Sequence, residues 1–322
     1  MTKTLLQVSN LKVNFNTEAG IVRAVDGVSF NLNIGETLGL VGESGCGKSV
    51  TALSLLRLIP APPGEIVDGI ALWQERDLLK LPLPELISIR GREISTIFQE
   101  PLTSFNPVQK IGPQISEVLN IHTELNPFQI RERVLEMLNR VGISDPERSY
   151  ESFPHELSGG MRQRAMIAMA LICQPRLVIA DEPTTALDVT IQAQILDLIS
   201  ELQIESKMSV LLITHNLGIV AGNAHQVAVM YAGKIVEWAP VRELFNNPLH
   251  PYTVGLLASI PKHNQEEPLV AIPGMIPDPL HLPSGCYFEP RCPRAMECCR
   301  REYPFEIEVS PGHRVSCWRY LV

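Results

Sequence analysis

Gly42-Glu43-Ser44-Gly45-Cys46-Gly47-Lys48-Ser49 reads as G-x-x-x-x-G-K-[ST], and the residues on either side of it decide the fold. The compact apolar run Thr37–Val41 before it has the form of a buried strand, and Ser49–Leu58 after it has the form of a helix ended by Pro60 and Pro62-Pro63-Gly64. Between a strand and a helix, such glycines let successive backbone N–H groups close round phosphate oxygens, and the helix N-terminus adds partial positive charge. Lys48 then reaches the outer phosphates, and the Ser49 hydroxyl is a ligand for Mg²⁺.

Outward from the loop the same pattern continues. Residues 5–32 alternate apolar and polar, as antiparallel strands with a turn near Glu18–Gly20 do. Residues from about 100 to 170 read as helical, with Arg131–Val141 amphipathic and a helix from Gly160 to about Cys173. Leu177–Ala180 is an apolar strand, Ile191–Ile204 a helix and Ser209–Thr214 a strand, so the sheet is mainly parallel and covered by helices. The Leu177 strand ends in Asp181-Glu182. Neighbouring strand residues point to opposite sides, so the two acids divide their work. Asp181 suits the Mg²⁺ shell, and Glu182 suits orienting or deprotonating an attacking water.

Composition bounds the rest. The 322 residues hold 35 acidic and 27 basic side chains, a formal charge of −8, which argues against a nucleic-acid coat. No apolar run approaches the ~18–20 residues of a membrane span. The N-terminal stretch lacks an apolar segment followed by a cleavage site, so a cytoplasmic protein is expected, touching a membrane only through partners. From Pro251 to Val322 there are 11 prolines and five cysteines with little periodicity, the look of an appendage stapled by something other than a hydrophobic core.

A phosphate loop alone leaves kinases, GTPases, helicases and transport ATPases open. No N-K-x-D base reader of a GTPase is present. Leu157-Ser158-Gly159-Gly160-Met161-Arg162-Gln163 narrows the choice, because Ser and two Gly opening a helix make a second anion site. One chain has no use for two such sites on one ATP, whereas a head-to-tail dimer has. At these residues the chain resembles the ATP-binding subunit of an ABC transporter, over about residues 5–245. The resemblance implies an α/β P-loop NTPase core with an antiparallel β subdomain, an α-helical signature subdomain and a loop-rich C-terminal cysteine extension. It places the ATPase domain at 1–248, with its helical part at about 100–172, and the extension at 249–322.

The resemblance also assigns roles. ATP is held by Phe15, stacking on adenine, and by Gly42, Glu43, Ser44, Gly45, Cys46, Gly47, Lys48, Ser49 and Val50. Gln99 joins Ser49 and Asp181 at Mg²⁺. Glu182, His215, Gln99 and Lys48 form the catalytic set. Ser158, Gly159, Gly160 and Asp188 meet the ATP of the opposite subunit. Cys46 stands where Ser or Thr is common, which leaves a thiol expected beside the phosphates, open to alkylation unless ATP protects it.

Phe98-Gln99-Glu100-Pro101 with Phe105-Asn106-Pro107, Met230-Tyr231-Ala232-Gly233, His250-Pro251-Tyr252-Thr253 and the cysteine-rich tail resemble the oligopeptide/dipeptide importer branch and its nickel and other solute relatives. That branch implies a second, distinct ATPase chain, two transmembrane permease subunits and an extracytoplasmic solute-binding protein, with the ATPase peripheral on the cytoplasmic face of the membrane. A soluble ABC ATPase acting on nucleic acid or ribosomes is the rival class; it usually carries two cassettes or basic arms. A purely regulatory module is a third reading, opposed by the intact Glu182 and His215. In the tail, Cys286, Cys292, Cys299 and Cys317 supply four thiolates, and members with this pattern resemble [4Fe–4S] proteins. By spacing alone zinc and an unliganded tail stay open, and Cys298 can exchange with Cys299. Arg291, Arg294, Arg300 and Arg301 stand ready to offset thiolate charge or to form a solvated basic loop.

Overall fold

The computed structural model describes residues 3–184, 188–260 and 271–321. They form two compact units, residues 1–80 with 212–322, and residues 81–211.

In the first unit, β1 (Thr4–Thr17) and β2 (Gly20–Asn33) are the expected hairpin, pairing Phe15 with Val22 and Val13 with Val25. β3 (Thr37–Val41) is buried throughout and leads into α1 (Lys48–Leu55), which stops three residues before the expected end because Arg57 turns left-handed. β4 (Gly64–Trp73) and β5 (Arg76–Asp77) complete an antiparallel sheet ordered β2-β1-β4-β5.

The second unit begins with α2 (Leu83–Ile89), β6 (Ile94–Ile97), α3 (Pro101–Ser104) and α4 (Ile111–His122). It continues with α5 (Pro127–Arg140), α6 (Pro146–Glu151), α7 (Gly159–Leu171), β7 (Leu177–Asp181) and α8 (Val189–Ser206). α5 starts four residues before its amphipathic stripe. Asn126 accepts from the Gln129 N–H, the Gln129 side chain accepts from the Asn126 N–H, and Pro127 opens the first turn. β6 and β7 pair in parallel, Ile94 with Leu177 through Ile97 with Ala180. The division between the units falls within β8 (Ser209–Thr214).

The chain then adds α9 (Leu217–Asn223), β9 (Gln226–Tyr231), β10 (Lys234–Pro240), α10 (Val241–Asn246) and α11 (Pro251–Ala258), and finally α12 (Glu297–Arg301), β11 (Ile307–Ser310) and β12 (His313–Val315). In the first unit the strands run β11-β12-β10-β9-β3-β8, with β3 and β9 parallel and β9, β10, β12 and β11 antiparallel to one another.

The tail differs from the appendage expected of it. Tyr287, Phe288, Cys286 and Cys299 are buried in one cluster with Val227, Val229, Tyr231, Leu244 and Tyr252. β12 extends the sheet by pairing Trp238 with Arg314. Apolar burial therefore holds the tail, at roughly 25 cal/mol per Å² of apolar surface removed from water.

Beneath that cluster lies a buried polar knot. Glu237, 1% exposed, accepts from the Leu249 and His250 N–H groups and from His313 Nε2, each at 2.8 Å. His250, 1% exposed, caps α11 by accepting the Tyr252 N–H at Nδ1. Accepting at Nδ1 requires a neutral ring, and burial lowers the His250 pKa from 6.5 to about 4, against a smaller upward pull from Glu237. A depressed folded pKa gives stability that is complete above the unfolded value and lost as pH falls through the folded one. The wild type should therefore lose up to about 3 kcal/mol more stability between pH 6.5 and 4 than a His250→Asn variant, which keeps the cap and cannot titrate. Urea midpoints across that range check this; equal pH slopes in the two proteins contradict it.

Candidate functional site

The phosphate loop follows β3 and is shaped by steric necessity. Gly42 has φ 156°, and a Cβ there would lie 2.1 Å from the Met230 carbonyl oxygen of β9. Gly47 has φ 104°, and its Cβ would lie 2.3 Å from the Ala24 carbonyl oxygen. Only glycine fits either place. Gly47 is the N-cap of α1 and offers no side chain to its first turn, so no capping group competes with an anion there. Lys48 is 5% exposed, and its ammonium donates to the Gly42 carbonyl at 2.8 Å and the Glu43 carbonyl at 3.1 Å. The charge is thus fixed inside the curl of the loop. Ser44 and Gly45 are exposed, and Ser49 and Val50 are half-buried.

Cys46 corrects an expectation. Its side chain is fully buried, a Cβ on Gly42 would meet its sulfur at 2.7 Å, and burial raises its pKa. The sulfur is enclosed 3.8 Å from the Lys48 ammonium, so burial closes the thiol to solvent. Phe15 is half-buried on β1, in van der Waals reach of Gly64, so the ring is not consumed by the core. β8 is the neighbour of β3 in the sheet, and exposed His215 follows its last residue, Thr214.

The second unit assembles a matching group. Gln99 lies two residues beyond β6, and Glu182 one residue beyond β7. Because the strands are parallel and in register, both side chains emerge at the same sheet edge, where α/β sheets bind ligands. Gln99 Nε2 donates to Glu182 Oε2 at 3.2 Å. Asp181 is 7% exposed, and Glu182 is half-buried in the left-handed region at φ 46°. Such backbone strain in a non-glycine residue costs of order 1–3 kcal/mol and clusters at functional sites.

Ser158 caps α7, accepting the Met161 N–H at 3.3 Å, with Gly159 and Gly160 opening the helix. A Cβ on Gly160 would press on Ile191 of α8 at 3.3 Å. Asp188 caps α8 by accepting the Ile191 N–H at 3.0 Å and is exposed. The intervening Thr185, Ala186 and Leu187 lie outside the described residues.

Three residues at this site escaped the sequence reading. Gln163, 1% exposed, donates to the Pro183 carbonyl at 2.6 Å and ties α7 to the turn after Glu182. Its place in the Ser158–Gln163 run was a usable signal. Tyr252 and Arg291 both contact Glu43; the sequence singled them out for a motif and for thiolate charge, and nothing local links either to Glu43.

The expectation of a metal at the tail is not borne out here. Among the described residues no group of three or more His, Cys, Asp or Glu is placed to hold a metal ion. Burial raises the pKa of Cys292, Cys299 and Cys317 and pushes Cys286 up to about 12. The arginines thought to offset thiolate charge pair with carboxylates instead: Arg291 with Glu43, Arg300 with Glu289 and Arg301 with Glu297.

A buried thiol of raised pKa is a poor nucleophile. N-Ethylmaleimide should modify Cys46 at least about tenfold more slowly in the folded chain than in urea, and Cys46→Ser should bind ATP as the wild type does. Fast alkylation of native protein, mapped by mass spectrometry, would place the thiol at the surface instead.

Comparison with known proteins fits this geometry. The ABC transporter family profile matches residues 25–185, and that of the oligopeptide/dipeptide transporter C-terminal region matches residues 236–299. The oligopeptide transport ATP-binding protein AppD of Bacillus subtilis is 51% identical over 98% of this chain and 97% of its own length. The dipeptide transport ATP-binding protein DppD of the same organism is 50% identical over 98% of this chain and 94% of its own. Among solved structures, the ATP-binding cassette MJ0796 bound to ADP and Pi superposes with a TM-score of 0.66 at 25% identity, covering 74% of this chain and 99% of that one. None of the helices among the described residues is long and apolar enough to cross a membrane. The chain belongs to the ABC transporter family, as an ATP-hydrolysing ATP-binding subunit of its oligopeptide/dipeptide branch.

Proposed function

We propose that this chain works as one of two ATPase subunits, the second a related but distinct chain, that close head to tail on ATP and drive two membrane permease subunits to import dipeptides or oligopeptides. An extracytoplasmic binding protein delivers the solute, and the ATPase sits on the cytoplasmic face of the membrane. Nucleic acid has no part in it. Residues 1–248 are the motor, with a helical subdomain at about 100–172, and residues 249–322 are its extension. The names of the relatives, oligopeptide and dipeptide transport proteins matched over 97% and 94% of their length, support peptide over nickel as the solute.

In this reading Phe15 stacks on adenine, and residues 42–50 cradle the phosphates with Lys48 at the outer pair. Ser49, Gln99 and Asp181 would hold Mg²⁺, which when bound would neutralise charge on the phosphates. Glu182 accepts a proton from water as its oxygen bonds to the γ-phosphorus and the bond to the β–γ bridging oxygen breaks, leaving ADP and phosphate. His215 steadies the γ-phosphate, and Ser158, Gly159, Gly160 and Asp188 complete the site of the opposite subunit. The Gln99–Glu182 hydrogen bond carries the reading, because it joins a candidate metal ligand to the candidate base at one sheet edge. Glu182→Gln should lower kcat for ATP by about 10²–10³-fold while ATP affinity stays within about threefold. A kcat that hardly changes removes Glu182 from the chemistry. In vesicles carrying the permease pair, labelled dipeptide should accumulate only with ATP; nickel accumulating in its place would reassign the solute.

We propose too that Cys286, Cys292, Cys299 and Cys317 hold a [4Fe–4S] cluster. In its support, Cys286, Cys292 and Cys299 lie in one packed cluster, and the Cys286 N–H donates to the Cys299 carbonyl at 2.8 Å. Each thiolate of a cubane binds its own iron, so the four need not converge on one ion. Anaerobically purified protein should carry about four irons and four sulfides per chain, lost in Cys292→Ser. One zinc, or no metal, ends this assignment and leaves the ATPase untouched.

A further inference from the structure

Glu43, the second residue of the phosphate loop, has its three polar groups held from three directions. Its carbonyl takes a hydrogen bond from Lys48 at 3.1 Å, within the loop. Its N–H donates to the Tyr252 hydroxyl at 2.9 Å, and its carboxylate takes both arms of the Arg291 guanidinium, at 2.7 and 3.1 Å. Tyr252 is fully buried, and the Arg291 side chain is 5% exposed. Two of the three grips therefore come from residues more than 200 positions away in sequence.

The holders are themselves built in. Arg291 also donates to the carbonyls of Pro273 and Ile272 at 3.0 and 3.4 Å and to the Tyr231 hydroxyl at 3.4 Å. Tyr231, Tyr252 and Phe288 pack as a trio with ring centroids 4.7, 5.2 and 5.4 Å apart, Tyr231 edge-on to the other two. Tyr231 ends β9, Tyr252 opens α11 and Phe288 lies in the cysteine-rich tail three residues before Arg291.

A carboxylate inside an anion-binding loop opposes the charge the loop exists to bind. At a few ångströms in a partly desolvated site, the repulsion between like charges is large. A buried guanidinium that grips that carboxylate through both oxygens neutralises it and fixes its direction, as a lysine's single point charge would not. Tyr252 does the same for the peptide plane, taking an N–H that would otherwise be free to turn. We propose that Arg291 and Tyr252 of the C-terminal region are positioning residues of the ATP site, with Arg291 neutralising Glu43 so that the loop accepts phosphate. The proposal rests on the reading that residues 42–49 bind the phosphates of ATP.

The test is ATP affinity of the full-length chain, measured with radiolabelled ATP at low and high KCl. Arg291→Gln should weaken ATP binding about tenfold. Adding Glu43→Gln to that variant should restore most of the loss, because the unpaired carboxylate is then gone. Raising KCl should narrow the gap between Arg291→Gln and wild type, since screening weakens the repulsion. Tyr252→Phe, which removes one hydroxyl, should weaken ATP binding about threefold. Undiminished affinity in Arg291→Gln overturns the proposal, and so does a loss that neither salt nor Glu43→Gln relieves, for that is damage to packing. If Arg291→Gln does not fold, judged by near-ultraviolet circular dichroism, Tyr252→Phe decides, and unchanged affinity there overturns it. Lys48→Ala tests the underlying reading separately: ATP bound as tightly as by wild type would show that the loop is not the phosphate site, whatever Arg291 does.

Discussion

The loop between β3 and α1 rests on an ammonium group enclosed by its own backbone. Lys48 donates to the carbonyls of Gly42 and Glu43, and this works only because the loop can press against β9, where a side chain on Gly42 would collide with the Met230 carbonyl. Burying a lysine without partners is costly, and partnering it with carbonyls offsets that cost and aims the ammonium. The parallel register of β3 with β9 sets the wall, and the α1 N-terminus sets the field. Everything proposed for ATP depends on that closure.

Much of this was legible in the sequence because it is local. The octet implies a strand before it and a helix after it, and both are there. Asp181-Glu182 at the end of an apolar run implies a sheet edge, and β7 ends there. Ser158-Gly159-Gly160 implies a helix N-terminus, and Ser158 caps α7. What the sequence withheld is non-local. No periodicity links Glu43 to Arg291 or Tyr252, because the pairing exists only once the tail has packed on β9 and α11. Cys46 was expected to be open to alkylation because its position in the octet does not say how deeply its side chain is buried. The tail looked coreless because its apolar residues follow no repeat, yet Phe288 and Tyr287 find partners contributed by β9 and α11. The early start of α5 was missed for the opposite reason, since the capping box around Asn126 was there to be read.

The candidate site residues divide between the two units along chain lines. The first holds the phosphate loop, Phe15 and His215; the second holds Gln99, Asp181, Glu182 and the α7 N-terminus. Within the second unit, Glu182 is held at φ 46° and accepts a hydrogen bond from Gln99.

The claim at the centre of this account is that the shape of the phosphate loop is set from outside the loop. Amide hydrogen exchange of residues 42–49 in the full-length chain tests it most directly. The account predicts slow exchange at Glu43 in wild type, and much faster exchange across the loop in Arg291→Gln while β3 and β9 keep their protection. Equal exchange of the loop in the two proteins would contradict it.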